Sequence, residues 1–320
     1  MLLDLGMLVI GIVLLYFGAE WLVQGSAGLA RSMGVRPLVV GLTVVAYGTS
    51  APELVVSLLA SLEGRSAIAL GNVVGSNIAN IGAILGVTAL ISPPRVEPTL
   101  IRRELPVLVA SALLVPLFLL DGGISRLEGV ILLVGAAGFT LLTLRLAREI
   151  PVSAPELRAE MREEVQEEAA TGSRPKLAGL SVMGLVGLVA GGKLFVDGAS
   201  ALALALGMSE RVVGLTIVAV GTSLPEMAAS VVAALRGHSA IAIGNVIGSN
   251  IFNVLLILGG ASVANPIAGS LSDLRLDMGV FMGFTLAAVL FMRGARHVSR
   301  LEGGLLAGAY AAFLGVIALT

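Results

Sequence analysis

Two segments of the form Gly-Thr-Ser-x-Pro-Glu carry the most chemistry in this chain. Gly48, Thr49, Ser50, Pro52 and Glu53 make the first, and Gly221, Thr222, Ser223, Pro225 and Glu226 the second. Proline has no amide hydrogen, and its ring clashes with the carbonyl four residues back. Pro52 therefore breaks the helix ladder at Gly48, and Pro225 breaks it at Gly221, which frees carbonyls near 46–49 and 219–222. Both segments lie inside long apolar stretches. Freed backbone at membrane depth is tolerated only where protein or a water-filled cavity satisfies it, and a cation suits such oxygens. A carboxylate at the bilayer centre costs roughly 2.5 kcal/mol or more and marks a pathway by default. Together Glu53 and Glu226 balance one Ca2+ or two Na+. Calcium takes about 6–8 oxygens from carboxylates, carbonyls and water. The two glutamates with freed carbonyls near Thr49 and Thr222 can meet that number. Softer metals call for imidazole or thiolate; there is no Cys, and the two His, at 238 and 297, lie elsewhere.

Each half adds a Gly-Asn-Val-x-Gly-Ser-Asn-Ile-x-Asn segment, at 71–80 and 244–253. Ser76 with Asn80, and Ser249 with Asn253, are four apart and share a helix face. Their neutral oxygens suit Na+ at the flanks of a calcium site. Gly71, Gly75, Gly244 and Gly248 are placed for close helix packing. Asn72, Asn77, Asn245 and Asn250 are expected to satisfy broken helix ends, and Thr43 and Thr216 to bond their own helix backbones. Lys193 and Asp197 are spaced to pair along one helix. His238 and His297 read as surface residues.

The elements that must position these groups follow from composition. Of 320 residues, 57% are hydrophobic and 13% charged, with mean hydropathy +0.99. Soluble domains are about a quarter charged, so the chain is not read as water-soluble. A membrane helix needs about 20 mostly apolar residues. Ten such stretches are read, at 5–28, 36–62, 67–91, 104–120, 127–147, 177–205, 211–235, 239–263, 274–292 and 301–319. They are continuous and do not alternate, which excludes a barrel.

Residues 41–80 and 214–253 align without a gap at an offset of 173, with 26 identities in 40 positions. Composition alone would not place Thr, Ser, Pro, Glu, Asn and Gly in register. The chain is therefore a duplicated unit of five spans, and an odd span number inverts the second copy. The expected fold is an all-α integral membrane protein of ten helices in two inverted repeats, with broken helices at the ion site. The first repeat is 1–147, the linker 148–176 and the second repeat 177–320. Inverted repeats belong to secondary transporters with midplane sites. Most of the 20 basic residues fall on one side if the N-terminus is outside; Arg65, Arg126, Arg211 and Arg275 fall on the other, and Lys193 lies within the sixth span. The positive-inside rule then predicts both termini outside and the linker inside.

The two 40-residue windows resemble the α-1 and α-2 repeats of the cation/calcium exchanger superfamily, most closely its prokaryotic sodium/calcium branch. The resemblance covers the whole chain. The proton/calcium branch is less similar, because it carries a Gly-Asn-x-x-Glu motif in place of Gly-Thr-Ser-x-Pro-Glu. The resemblance implies an antiporter exchanging Na+ for Ca2+ at one shared site, in the plasma membrane of a prokaryote. It implies that Glu53 and Glu226 bind both ions alternately and that Thr49 and Thr222 lend carbonyls to calcium. Ser50, Ser223, Ser76 and Ser249 match sodium ligands. Ala46 and Ala219 match positions whose carbonyls complete the outer sodium sites, and Asn80 and Asn253 flank the middle site. Potassium-dependent relatives carry Asp at the place of Asn253. Spans one and six match a mobile pair expected to slide past an eight-helix core, and their glycines, including Gly18, Gly25, Gly191, Gly192 and Gly198, are compatible with that.

Two other readings stay open at this stage. One is an exchanger coupled to H+, and the other a passive cation channel. An enzyme is not expected, because no Gly-x-Ser-x-Gly elbow, His-Glu-x-x-His or paired catalytic Asp motif is present. No cofactor is expected beyond the transported ions. Expected partners are Ca2+, Na+ and lipid; a net charge of −1 gives no footprint for nucleic acid, and one chain suffices for the site.

Overall fold

The computed structural model describes residues 2–147, 173–207, 221–272, 274–294 and 296–319. Most of the linker, and the start of the seventh stretch with Thr216 and Ala219, lie outside the described residues. The chain opens with α1 (Leu2–Met33). Next come α2 (Pro37–Thr49) and α3 (Ala51–Leu62), which meet at a bend of 47°. Then follow α4 (Ser66–Ile91), α5 (Pro98–Phe118) and α6 (Arg126–Leu146). The second half holds α7 (Arg174–Ala205), α8 (Leu224–Leu235), α9 (Ser239–Ala264), α10 (Arg275–Gly294) and α11 (Arg300–Leu319). The helix α7 already begins within the stretch read from sequence as linker. Among the described residues, eight helices are long and apolar enough to cross a membrane, and the bent pair α2–α3 makes a ninth. The 12-residue α8 stands where α3 stands in the first half.

Burial separates the interior from the lipid face. Over its apolar window α9 is 94% buried and α4 78%, whereas α11 is 11% buried. Peripheral helices turn Leu, Val and Ile outward, as α6 does with Leu127, Val134 and Leu141. A helix can be apolar all round when its outer face meets lipid rather than water. The polar side chains of α4 and α9, among them Ser76, Asn77, Asn80, Asn245, Ser249 and Asn253, are buried within the protein.

The two halves repeat each other in local detail. Ser125 and Glu128 form a capping box ahead of α6, and Ser299 and Glu302 exchange the same bonds ahead of α11. A short antiparallel pair joins β1 (Gly123–Ile124) to β2 (Ile267–Ala268). The corresponding contact in the other half is the antiparallel bridge between Arg95 and His297. The Gly269 N–H donates to the Gly122 carbonyl at 3.1 Å, and the Val96 N–H donates to the Arg296 carbonyl at 2.7 Å. Gly122 has φ +99°, and Arg296, in the same turn of the other half, has φ +55°.

Helices α1 and α7 form an antiparallel pair on glycines seven residues apart. Gly11 faces Gly191 and Phe195, and Gly18 faces Gly184 and Leu188. Toward the ends, Gly25 faces Ser181, and Gly198 faces Asp4 and Leu8. Without a hydrophobic drive between helices in lipid, such small residues let backbones touch and gain dispersion contact.

Candidate cation site

The chain bends where Pro52 and Pro225 enter their helices. Ser50, with φ −81° and ψ 6°, precedes α3, and Ser223, with φ −89° and ψ 6°, precedes α8. These angles fall near the bridge region, so the helix direction changes there. Each glutamate then stands in the first turn of its new helix, beside the positive end of the helix dipole. Glu53 and Glu226 are each 2% exposed.

Contacts cross between the halves. The Ser50 hydroxyl donates to Glu226 Oε1 at 2.9 Å, and the Ser223 hydroxyl reaches Glu53 Oε1 at 3.5 Å. Ser249 Oγ lies 3.1 Å from Ser50 Oγ. The Thr49 hydroxyl donates to the Val45 carbonyl at 3.0 Å and stands 3.2 Å from Asn245 Oδ1. The structure therefore brings together Glu53, Glu226, Ser50, Ser223, Thr49 and Ser249. Thr222 lies partly buried at the break just before Ser223. Ala46 is buried one turn before the first break, and its carbonyl accepts the Ser50 N–H at 3.1 Å and, at 3.5 Å, the Thr49 hydroxyl.

The flanking helices hold both breaks from behind. Asn72 Nδ2 donates to the Glu53 carbonyl at 3.2 Å and to Ser57 Oγ at 2.8 Å. Asn245 Nδ2 does the same for the Glu226 carbonyl at 3.2 Å and Ser230 Oγ at 2.9 Å. These two asparagines brace the first turn of each new helix. Asn77 and Asn250 do not: each donates to its own helix one turn back, at Val73 and Val246, both at 2.7 Å. Ser76 and Asn80 continue the face of α4 that carries Asn72, and Ser249 and Asn253 continue the face of α9 that carries Asn245. Asn80 and Asn253 each open a π-helical turn, Asn80–Leu85 and Asn253–Leu258. Gly41–Val45 forms a third, below the first break. Such turns occur frequently at functional sites, and nothing in the residue pattern announces them.

Close packing at Gly244 and Gly248 is present, since a Cβ there would meet Leu38 O and Leu42 O at 2.8 Å. For Gly71 and Gly75 no described atom lies that near; the neighbours expected from the repeat are residues 211–219, outside the described set. Thr43 donates to the Val39 carbonyl at 2.6 Å and Lys193 pairs with Asp197 at 2.8 Å, as their spacing predicts.

Several buried oxygens have no partner. They include Oε2 of Glu53 and of Glu226, and Oδ1 of Asn77, Asn250, Asn80 and Asn253. They come in pairs related by the repeat. A buried acceptor left unsatisfied costs about 1–3 kcal/mol, and more for a carboxylate. Four of these oxygens, on Glu53, Glu226, Asn80 and Asn253, belong to the residues of the donor set and point to a positively charged ligand. No cluster of three or more His, Cys, Asp or Glu exists among the described residues. The donor set is two carboxylates with neutral hydroxyl, amide and backbone oxygens, which suits hard cations.

Known proteins resemble this chain over nearly its whole length. The family model described as sodium/calcium exchanger protein matches residues 3–145 and 176–319. A putative antiporter, CaxA of Alkalimonas amylolytica, is 40% identical over 304 residues, covering 94% of each chain. The sodium/calcium exchanger MaX1 of Methanosarcina acetivorans is 34% identical over 339 residues, covering 97% of each. The solved structure of the sodium-calcium exchanger NCX_Mj, soaked with Na+ and Ca2+, superposes with a TM-score of 0.84 at 34% identity, over 98% of both chains.

Proposed function

This chain belongs to the sodium/calcium exchanger family, and from that premise we propose how its residues exchange Na+ for Ca2+ across a membrane. Glu53 and Glu226 are the shared ligands. Ca2+ takes their oxygens together with the Thr49 and Thr222 carbonyls. Na+ takes the same carboxylates with Ser50, Ser223, Ser76, Ser249 and the carbonyls of Ala46 and Ala219, while Asn80 and Asn253 flank the centre. Exchange follows from charge. Two carboxylates neutralise one Ca2+; adding a full load of Na+ in a poorly screened site sets like charges against each other at close range. Binding one ion therefore releases the other, and the protein supplies no group-transfer chemistry.

The observation that carries this reading is the repeat-related set of buried, unpartnered oxygens around two acids. The α1/α7 pair is the mobile unit: its glycine contacts hold it together as one body, and a rigid body that slides exposes the site to each side in turn. The architecture is ten spans in two inverted repeats, with α8 and the residues before it forming the seventh span. Both termini lie outside and the linker inside, in a prokaryotic plasma membrane.

The test is uptake of radiolabelled Ca2+ into Na+-loaded proteoliposomes diluted into Na+-free buffer. Uptake is expected only with internal Na+, and to be lost in Glu53→Gln and in Glu226→Gln. Uptake driven instead by internal acid, or independent of any counter-ion, overturns the reading.

A further inference from the structure

The halves differ in charge where the α1/α7 pair meets the rest of the molecule. Glu20 on α1 pairs with Arg236 at the end of α8, with Nη2 to Oε1 at 2.6 Å and Nε to Oε2 at 3.1 Å. The offset of 173 carries Glu20 onto Lys193 and Glu63 onto Arg236. The counterpart of this pair is thus Lys193 with Glu63, the same ion pair with its signs exchanged. That counterpart is unmade. Lys193 Nζ binds Asp197 on its own helix at 2.8 Å, and Glu63 binds Arg65 at 3.3 Å.

Packing is uneven in the same sense. The apolar face of α1, including Leu22 and Val23, lies in one buried cluster with Ala229 and Val232 of α8. Ala229 is 1% exposed and Val232 7%. Their counterparts on α3, Val56 and Leu59, are 36% and 53% exposed, and α7 makes no comparable packing on α3. Yet the α1/α7 pair is itself two-fold: Gly18 against Gly184 and Leu188 is repeated by Gly191 against Gly11 and Leu15. A two-fold pair seated unevenly on a repeated core has a second, equivalent seat.

We propose that Glu20–Arg236 and Lys193–Glu63 are alternate latches, one for each seat of the α1/α7 pair, so that closing one requires opening the other. In the second seat Lys193 leaves Asp197 for Glu63, and Phe195 and Val196, the counterparts of Leu22 and Val23, cover Val56 and Leu59. These four charged residues touch no transported ion; they are positioning residues for transport. The inference rests on the exchanger reading and deepens it.

The chain has no cysteine, so introduced pairs report without background. Full chains carrying Glu20→Cys with Arg236→Cys, or Lys193→Cys with Glu63→Cys, are reconstituted and treated with a short, reducible bifunctional thiol reagent during exchange. Both pairs are expected to cross-link, each link stopping Ca2+ exchange and reductant restoring it. Adding Glu20→Gln to the second pair is expected to raise its cross-linked fraction roughly two- to fivefold, the shift that loss of a partly exposed ion pair sustains; a purely structural role for Glu20 would leave that fraction unchanged. If the second pair never links while labelled Ca2+ still exchanges, or if Glu20→Gln leaves its fraction unchanged, the latch is overturned and the exchanger reading stands. If the unsubstituted chain exchanges no Ca2+ for Na+, the exchanger reading itself falls and the latch with it.

Discussion

Gly18→Ala places a methyl group where the backbone of α7 already stands. Its Cβ would lie 2.7 Å from Leu188 N and 2.9 Å from the Gly184 carbonyl oxygen. Contacts of this kind settle near about 3.5 Å, so the helices must part by roughly 0.8 Å. The opposing atoms are backbone and cannot rotate aside. Overpacking of this sort costs about 1–3 kcal/mol, set against about 1 kcal/mol gained from better helix propensity. Gly6→Ala supplies the control, because nothing lies within 4 Å of a Cβ there and only the propensity gain remains. The two variants are therefore expected to differ by about 1–3 kcal/mol, with Gly18→Ala the weaker. Thermal unfolding of the full chain in detergent reads that difference, and labelled Ca2+ exchange reads its consequence. Gly6→Ala keeps the parental exchange rate, and Gly18→Ala slows it. If Gly18→Ala melts with Gly6→Ala and exchanges normally, α1 and α7 are not held by backbone contact, and the rigid sliding unit fails.

Asn72→Ala removes two hydrogen bonds behind a glutamate and Asn245→Ala three, at about 0.5–1.5 kcal/mol per bond; Ca2+-dependent exchange is expected to need at least about tenfold more Ca2+ in Asn72→Ala and a larger increase in Asn245→Ala. Arg296 stands at φ +55°, where a side chain costs about 1–2 kcal/mol, so Arg296→Gly raises the melting temperature while Gly122→Ala, at φ +99°, lowers it. Asn253→Asp puts a third carboxylate beside the site, in place of an amide whose oxygen lacks a partner; without added cation the variant melts below the parent, and Ca2+ stabilises it by a larger increment than it does the parent.

Much of this was legible in the residues. Pro52 and Pro225 announce a break because an absent amide hydrogen and a ring clash act locally, and both breaks, at Ser50 and Ser223, stand three residues before their glutamates. The pairing of Ser50 with Glu226 and of Ser223 with Glu53 follows from the repeat, since equivalent breaks facing each other must contact across the axis. Asn72 and Asn245 were legible as supports for the broken ends. Asn77 and Asn250 were not separable from them, because one residue along a helix turns a side chain about 100° away and the same residue type then bonds its own backbone. The π-helical turns at Asn80 and Asn253 had no signal, since they depend on packing between helices rather than on local propensity. The glycines of α1 and α7 were visible, but their seven-residue register against each other was not, because it needs both helices placed. The uneven seating of the pair was beyond reach for a deeper reason: one sequence encodes both seats, and only a structure occupies one of them.

That reason bears on where the repeats agree and where they diverge. The residues of the site agree, Gly-Thr-Ser-x-Pro-Glu in both halves, as they must if the proposed ligands serve the ion in either seat. The proposed latch residues diverge in sign, Glu20 against Lys193 and Glu63 against Arg236, although a latch needs only opposite charges and identical copies would serve equally well. Membrane topology supplies the difference. In the proposed orientation Arg236 lies on the inner face and Glu63 on the outer, and the positive-inside rule favours Arg in inner loops. An exact copy of the first latch would put Arg at position 63, outside. Placing Glu there and moving the cation onto α7 keeps an attractive pair at both faces without reversing the charge bias that orients the chain. The exchange of signs therefore serves two demands together, a pair to close on each side and no added cation in the outer turn at 63, where Arg65 already stands.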